Sequence, residues 1–79
     1  MNKISMIQRK EAVVSAARSS LKQKDDLDLK YFISRLKLDT GLKQKLVESI
    51  LTDLENVREV SIDWVEGSLK RGENFKLEE

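Results

Sequence analysis

Neither an imidazole nor a thiol is available to this chain, whose 79 residues contain no histidine and no cysteine. That removes the commonest general base and transition-metal ligand, together with disulfides, thiolate nucleophiles and zinc–thiolate centres. Catalysis would have to rest on carboxylates or lysines, and no pair of these has a spacing that suggests a cleft. The densest acidic run is Lys24-Asp25-Asp26-Leu27-Asp28. Three neighbouring carboxylates invite a metal site, but the run lacks the glycine and the distal glutamate of a calcium loop. Helix capping explains it better: one aspartate accepts from the first N–H groups of the next helix while the others face its positive end. The sequence is therefore read as a non-enzyme, with no catalytic residue, no metal and no cofactor.

What remains is charge. The formal net charge is only +1, yet the two signs are separated along the chain. From Met1 to Lys24, Lys3, Arg9, Lys10, Arg18, Lys22 and Lys24 oppose the single acid Glu11. From Leu46 to Glu66, six acids from Glu48 onward face only Arg58. Such a division means either a basic surface for an anionic partner or two segments that pair with each other.

The elements that must position these groups are organised around Thr40-Gly41-Leu42. After it, Leu46, Val47, Ile50, Leu51 and Leu54 recur at helical spacing, which predicts a helix from about Lys43 to Asn56 or Val57 with one buried face. Gly41 fits a left-handed turn between two helices, and Leu42 falls back into the core. The preceding helix is expected from about Leu29 to Leu38, with Leu29, Phe32, Ile33 and Leu36 inward and Leu38 joining Leu42 in closing the corner. A first helix starts near Ser5, where Ser5 and Gln8 have capping-box spacing. Ile7, Val14, Ala17 and Leu21 share its inner face, with Val13 and Ala16 beside them.

Beyond Asn56 the period changes. Val60, Ile62 and Trp64 alternate with Ser61, Asp63 and Val65, which predicts a strand. Glu66-Gly67 and Arg71-Gly72 are both turn signals, so the return strand is either Ser68 to Arg71 or Glu73 to Leu77. The chain is thus expected to be a single domain over residues 1–79: first helix 1–24, helix-turn-helix 28–57, wing hairpin 58–78. The fold class is mainly α with a small β-hairpin. An all-α helical bundle, with the third helix running on through Val57, Val60 and Trp64, is the alternative.

Helix, helix, Thr-Gly-Leu corner, helix ending in Ile50-Leu51-x-x-Leu54 and a two-stranded hairpin resemble the winged helix-turn-helix domains of small prokaryotic, archaeal or viral proteins. The resemblance implies double-stranded DNA as partner, with the third helix in the major groove, and transcriptional regulation as the use. By position, Lys43, Gln44 and Lys45 would reach bases and phosphates, and Ser49 and Thr52 would follow one and two turns on. Lys70 and Arg71 would act from the wing, and Arg9 and Lys10 would add phosphate contacts from the first helix. Glu48, on the same helix, would repel phosphate unless it accepted a hydrogen bond from cytosine.

A protein–protein interaction module, acting as an accessory subunit of a replication, transcription or membrane-remodelling complex, is the competing function. The low net charge, the acidic run, the exposed part of Leu46, and Trp64 with Phe75 on the hairpin support it. Ile7, Val14 and Leu21 have heptad spacing and suggest a homodimer through the first helix. No apolar run approaches the ~18 residues of a membrane span, so a soluble cytoplasmic protein without membrane contact is expected.

Overall fold

A computed structural model describes residues 5–77, and of Ser5 the backbone alone. The elements in chain order are α1 (Ser5–Gln23), β1 (Asp26–Asp28), α2 (Leu29–Thr40), α3 (Gln44–Asn56), β2 (Val60–Asp63) and β3 (Ser68–Arg71). The protein is mainly α, with a helix-turn-helix corner and a hairpin wing. The continuous third helix of the all-α alternative does not form. Helix α3 stops because Arg58 adopts a left-handed φ of 63°, which lets the N–H of Arg58 reach Glu55 O and that of Glu59 reach Leu54 O. This pair of reversed bonds closes a Schellman motif and turns the chain into β2.

Between α2 and α3 the glycine turn and the inward Leu42 form as the sequence predicts. Gly41 caps α2 at φ 75° and donates its N–H to Lys37 O. A side chain here would meet no atom within 4 Å, so the backbone angle alone favours glycine. Thr40 secures the bend on both sides: its hydroxyl donates to Leu36 O at 2.7 Å and accepts from the Leu42 N–H at 3.1 Å. Leu42 is buried between the helices. Asp28 caps α2 by accepting from the Tyr31 N–H. The capping contact expected of Ser5 falls outside the described side chains.

One element was not expected. Residues Asp26–Asp28 form a strand, giving a three-stranded antiparallel sheet in the order β1–β3–β2. Leu27, Leu69 and Ile62 pair across it and make one apolar row. The return strand is Ser68–Arg71, so the Glu73–Leu77 alternative falls. A backbone hydrogen bond from the Leu29 N–H to Gly67 O joins the start of α2 to the end of the wing turn.

Leu29, Phe32, Ile33 and Leu36 of α2 and Val47, Ile50, Leu51 and Leu54 of α3 are buried. They pack against Val13, Ala17 and Leu21 of α1 and against Val60, Ile62 and Leu69 of the sheet. Four apolar residues depart from their expected places. Ile7 is 70% exposed, because no described side chain of α1 before Val13 is buried and this end of the helix runs past the core. Leu38 is 80% exposed: α2 continues to Thr40, so Leu38 stays in helical register roughly 200° round from Leu36. Leu46 is 39% exposed at the edge of the α3 stripe, and Trp64 lies beyond the end of β2, 45% exposed.

The separated charges do meet within the molecule. Arg18 of α1 donates from Nε and Nη2 to the two carboxylate oxygens of Glu59, at 3.0 and 2.9 Å. These hydrogen bonds hold the Glu59 carboxyl below its ordinary value of 4.5, against the opposing effect of desolvation. A carboxyl more acidic in the folded than in the unfolded chain stabilises the fold above the unfolded value, and that contribution disappears as pH falls through the folded one. Glu59→Gln is therefore expected to lower the melting temperature at neutral pH, with the gap closing as pH drops below 4.5. The gap should stay below about 1 kcal/mol, since a half-exposed guanidinium is screened by water. Paired thermal melts across the acid range test it.

Candidate nucleic-acid interface

Five basic residues, Lys30, Arg35, Lys37, Lys43 and Lys45, lie between Leu29 and Lys45 against the single acid Asp39. The helix-turn-helix corner is thus strongly cationic in a nearly neutral protein, a local excess that favours anions there. Lys43 occupies the position before α3 with extended backbone (φ −81°, ψ 159°) and without a side-chain cap. Its carbonyl accepts the Leu46 and Val47 N–H groups, while its ammonium is exposed beside the positive end of the helix dipole.

The sequence-predicted residues divide into those the fold brings together and those it does not. Lys43, just before α3, and Gln44, Lys45 and Ser49 on its first turns are all exposed. Ser49 follows Lys45 by one turn; Thr52, the next position, is half-buried. Gln44 is already oriented: its Oε1 accepts from Lys37 Nζ at 3.1 Å and its Nε2 donates to Glu48 Oε2 at 2.9 Å. The carboxamide thereby spaces a cation from the one carboxylate on this part of α3. Lys37 was not singled out from the sequence. Its seven-residue separation from Gln44 spans the turn, and only the bend makes them neighbours.

Lys70 and Arg71 do not form the wing tip. The hairpin turns at Trp64-Val65-Glu66-Gly67, so both lie at the far end of β3. Lys70 sits between Asp26 and Ser61 on neighbouring strands. Arg71 is turned toward the body, where its Nε donates to Leu21 O at 2.6 Å and its Nη2 to Lys22 O at 3.4 Å. The guanidinium thus satisfies terminal carbonyls of α1, and its carbon lies 5.9 Å from the Phe75 ring centre. Arg71→Ala is expected to cost about 1.5–3 kcal/mol of stability while leaving the salt dependence of any DNA binding unchanged; a thermal melt and a salt titration check the two halves. On α1, Arg9 is half-buried and Lys10 exposed.

The true tip is apolar and acidic. Val65 is 95% exposed beside the half-exposed Trp64, and the Asp63 carboxylate holds the turn by accepting from the Val65 and Glu66 N–H groups. A shallow cleft runs from this tip past Lys30 to Gln44 and Glu48. Among the described residues there is no cluster of three or more metal-ligating side chains and no helix long and apolar enough to cross a membrane.

Three helices carrying a cationic helix-turn-helix and a hairpin wing define the class of structure. Comparison of the chain with protein-family models, curated proteins and solved structures finds no match.

Proposed function

We propose that this protein binds double-stranded DNA through the amino-terminal half of α3. The observation that carries the reading is the exposure of Lys43, Gln44 and Lys45 at the start of α3, at the end of a corner holding five basic residues against one acid. A helix of this kind fits the major groove with its first turns toward base edges. Lys43 and Lys45 reach phosphates, with Lys30, Arg35 and Lys37 on α2 supporting them. Gln44 and Glu48 lie deeper in the groove, where a carboxamide pairs with adenine and a carboxylate accepts from cytosine N4. Ser49 is short enough to let the duplex approach.

Titration of the protein with random duplex at low salt, repeated as salt is raised, is the direct test. Binding that weakens linearly in log–log form is expected, each neutralised phosphate contributing about 0.9 to the slope. No binding at low salt, or a slope of zero, rejects the reading. Docking of another protein is favoured by a separate observation, the exposed Trp64 and Val65 at a wing tip whose charged residue is Glu66 rather than a cation.

A further inference from the structure

One carboxamide at the helix-turn-helix corner has its orientation fixed by charges from two helices. Lys37 O accepts the Gly41 N–H at the end of α2, and Gln44 opens α3, so the bend holds both backbones in place. Across it, Lys37 Nζ donates to Gln44 Oε1 at 3.1 Å, and Gln44 Nε2 donates to Glu48 Oε2 at 2.9 Å, one turn further along α3. Lys37 and Glu48 are half-buried while Gln44 is exposed, which confines the two anchors more than the amide they hold. An ammonium offers only hydrogens and a carboxylate only lone pairs. Turning the carboxamide over would face its NH2 to Lys37 and its oxygen to Glu48, replacing two charge-assisted hydrogen bonds by two repulsions.

We infer that Lys37 and Glu48 are positioning residues which, through Gln44, make the protein prefer adenine over guanine at one base pair of its site; the inference rests on the duplex-binding reading above. With one lone pair of Oε1 and one hydrogen of Nε2 engaged, the carboxamide keeps one acceptor and one donor site. Adenine presents the complement in the major groove, its N6 amino donor beside its N7 acceptor. Guanine presents two acceptors there, N7 and O6, and would leave Gln44 Oε1 against a lone pair. A carboxamide free to turn over escapes that conflict by offering its NH2 to guanine instead. The two anchors remove the escape, so they act on the choice of base without touching it. Two of the three Lys37 hydrogens remain for phosphate, so its supporting role there is unaffected.

Selection of bound duplexes from a randomised pool by the full chain, followed by titration of the selected duplex and its single-base-pair variants, tests it. One position is expected where changing A·T to G·C weakens binding by about 5- to 150-fold, and Gln44→Ala should abolish the preference at that position. Lys37→Met combined with Glu48→Met removes one cation and one anion and keeps both stems, so affinity for random duplex and the melting temperature should change little. The same double variant should lower the adenine-to-guanine ratio at the Gln44 position about fivefold or more. A selected duplex with no adenine position sensitive to Gln44→Ala overturns the inference, as does a double variant that keeps the wild-type ratio; both results leave duplex binding standing. Absence of any binding to the pool at low salt removes both readings, and shows before any base is varied.

Discussion

Replacing Gly72 by alanine is expected to lower the melting temperature by roughly 12–24 °C. A Cβ at this position would lie 2.4 Å from Arg58 O and 2.8 Å from both Glu59 C and Val60 N. All three are backbone atoms, so no flexible side chain can swing aside. The backbone they belong to is the turn that ends α3 and starts β2, and it is clamped from several sides. Gly72 donates its N–H to Glu59 O, and the Asn74 N–H donates to Arg58 O at 2.7 Å; Asn74 Nδ2 donates to Val57 O. Parting these strands to admit a methyl group would strain or break those bonds together, at about 3 kcal/mol, a large share of the stability of a domain this small. Gly41→Ala provides the contrast. Open space surrounds it, so only the left-handed angle is penalised, at ~1–2 kcal/mol. Thermal melts of both variants followed by far-ultraviolet circular dichroism decide the matter, and a Gly72→Ala loss no larger than that of Gly41→Ala would show that the turn can yield.

Lys43→Ala combined with Lys45→Ala is expected to weaken duplex binding by on the order of 100-fold at low salt and to reduce the salt slope by about 2. The slope follows from the two phosphate contacts proposed for these lysines, at about 0.9 each. The affinity loss follows from charge-assisted hydrogen bonds worth ~1.5–3 kcal/mol apiece, each close to a factor of ten or more. Both side chains are exposed, and the Lys43 side chain makes no capping bond to the helix, so the melting temperature should stay within a degree or two. A duplex titration alongside a melt separates loss of binding from loss of fold. Unchanged affinity in the double variant would remove α3 from the interface.

The parts of the fold set by short-range chemistry were legible in the sequence. Gly41 and Leu42 announce the corner because a left-handed angle and an inward leucine are local demands. Leu29, Phe32, Ile33 and Leu36 are all buried because a helix core stripe follows from periodicity alone. β1 was not legible: three residues with one apolar member carry too short an alternation, and its strand character comes from β3, whose paired residues lie 40 to 44 positions later in the chain. The wing tip was legible only as two alternatives, a turn at Glu66-Gly67 or one at Arg71-Gly72. Lys70-Arg71-Gly72 looks like a turn in isolation, but the row of Leu27, Leu69 and Ile62 fixes the register and moves the turn back to Gly67. Arg71 consequently spends its charge on α1 rather than outside the molecule. Of the candidate interface, the exposed lysines of α3 were readable; the Lys37–Gln44–Glu48 relay was not, since it exists only once the helices are bent together.

The placement of Trp64 has a practical consequence for every experiment above. It is the single tryptophan, and it sits half-exposed on the hairpin turn rather than in the core. Indole emission follows the polarity around the ring, so intrinsic fluorescence from this chain is a gauge of that turn. It should respond weakly to unfolding, and shift to shorter wavelength when a neighbouring surface closes over the ring. The molecule carries its own optical label at the wing tip.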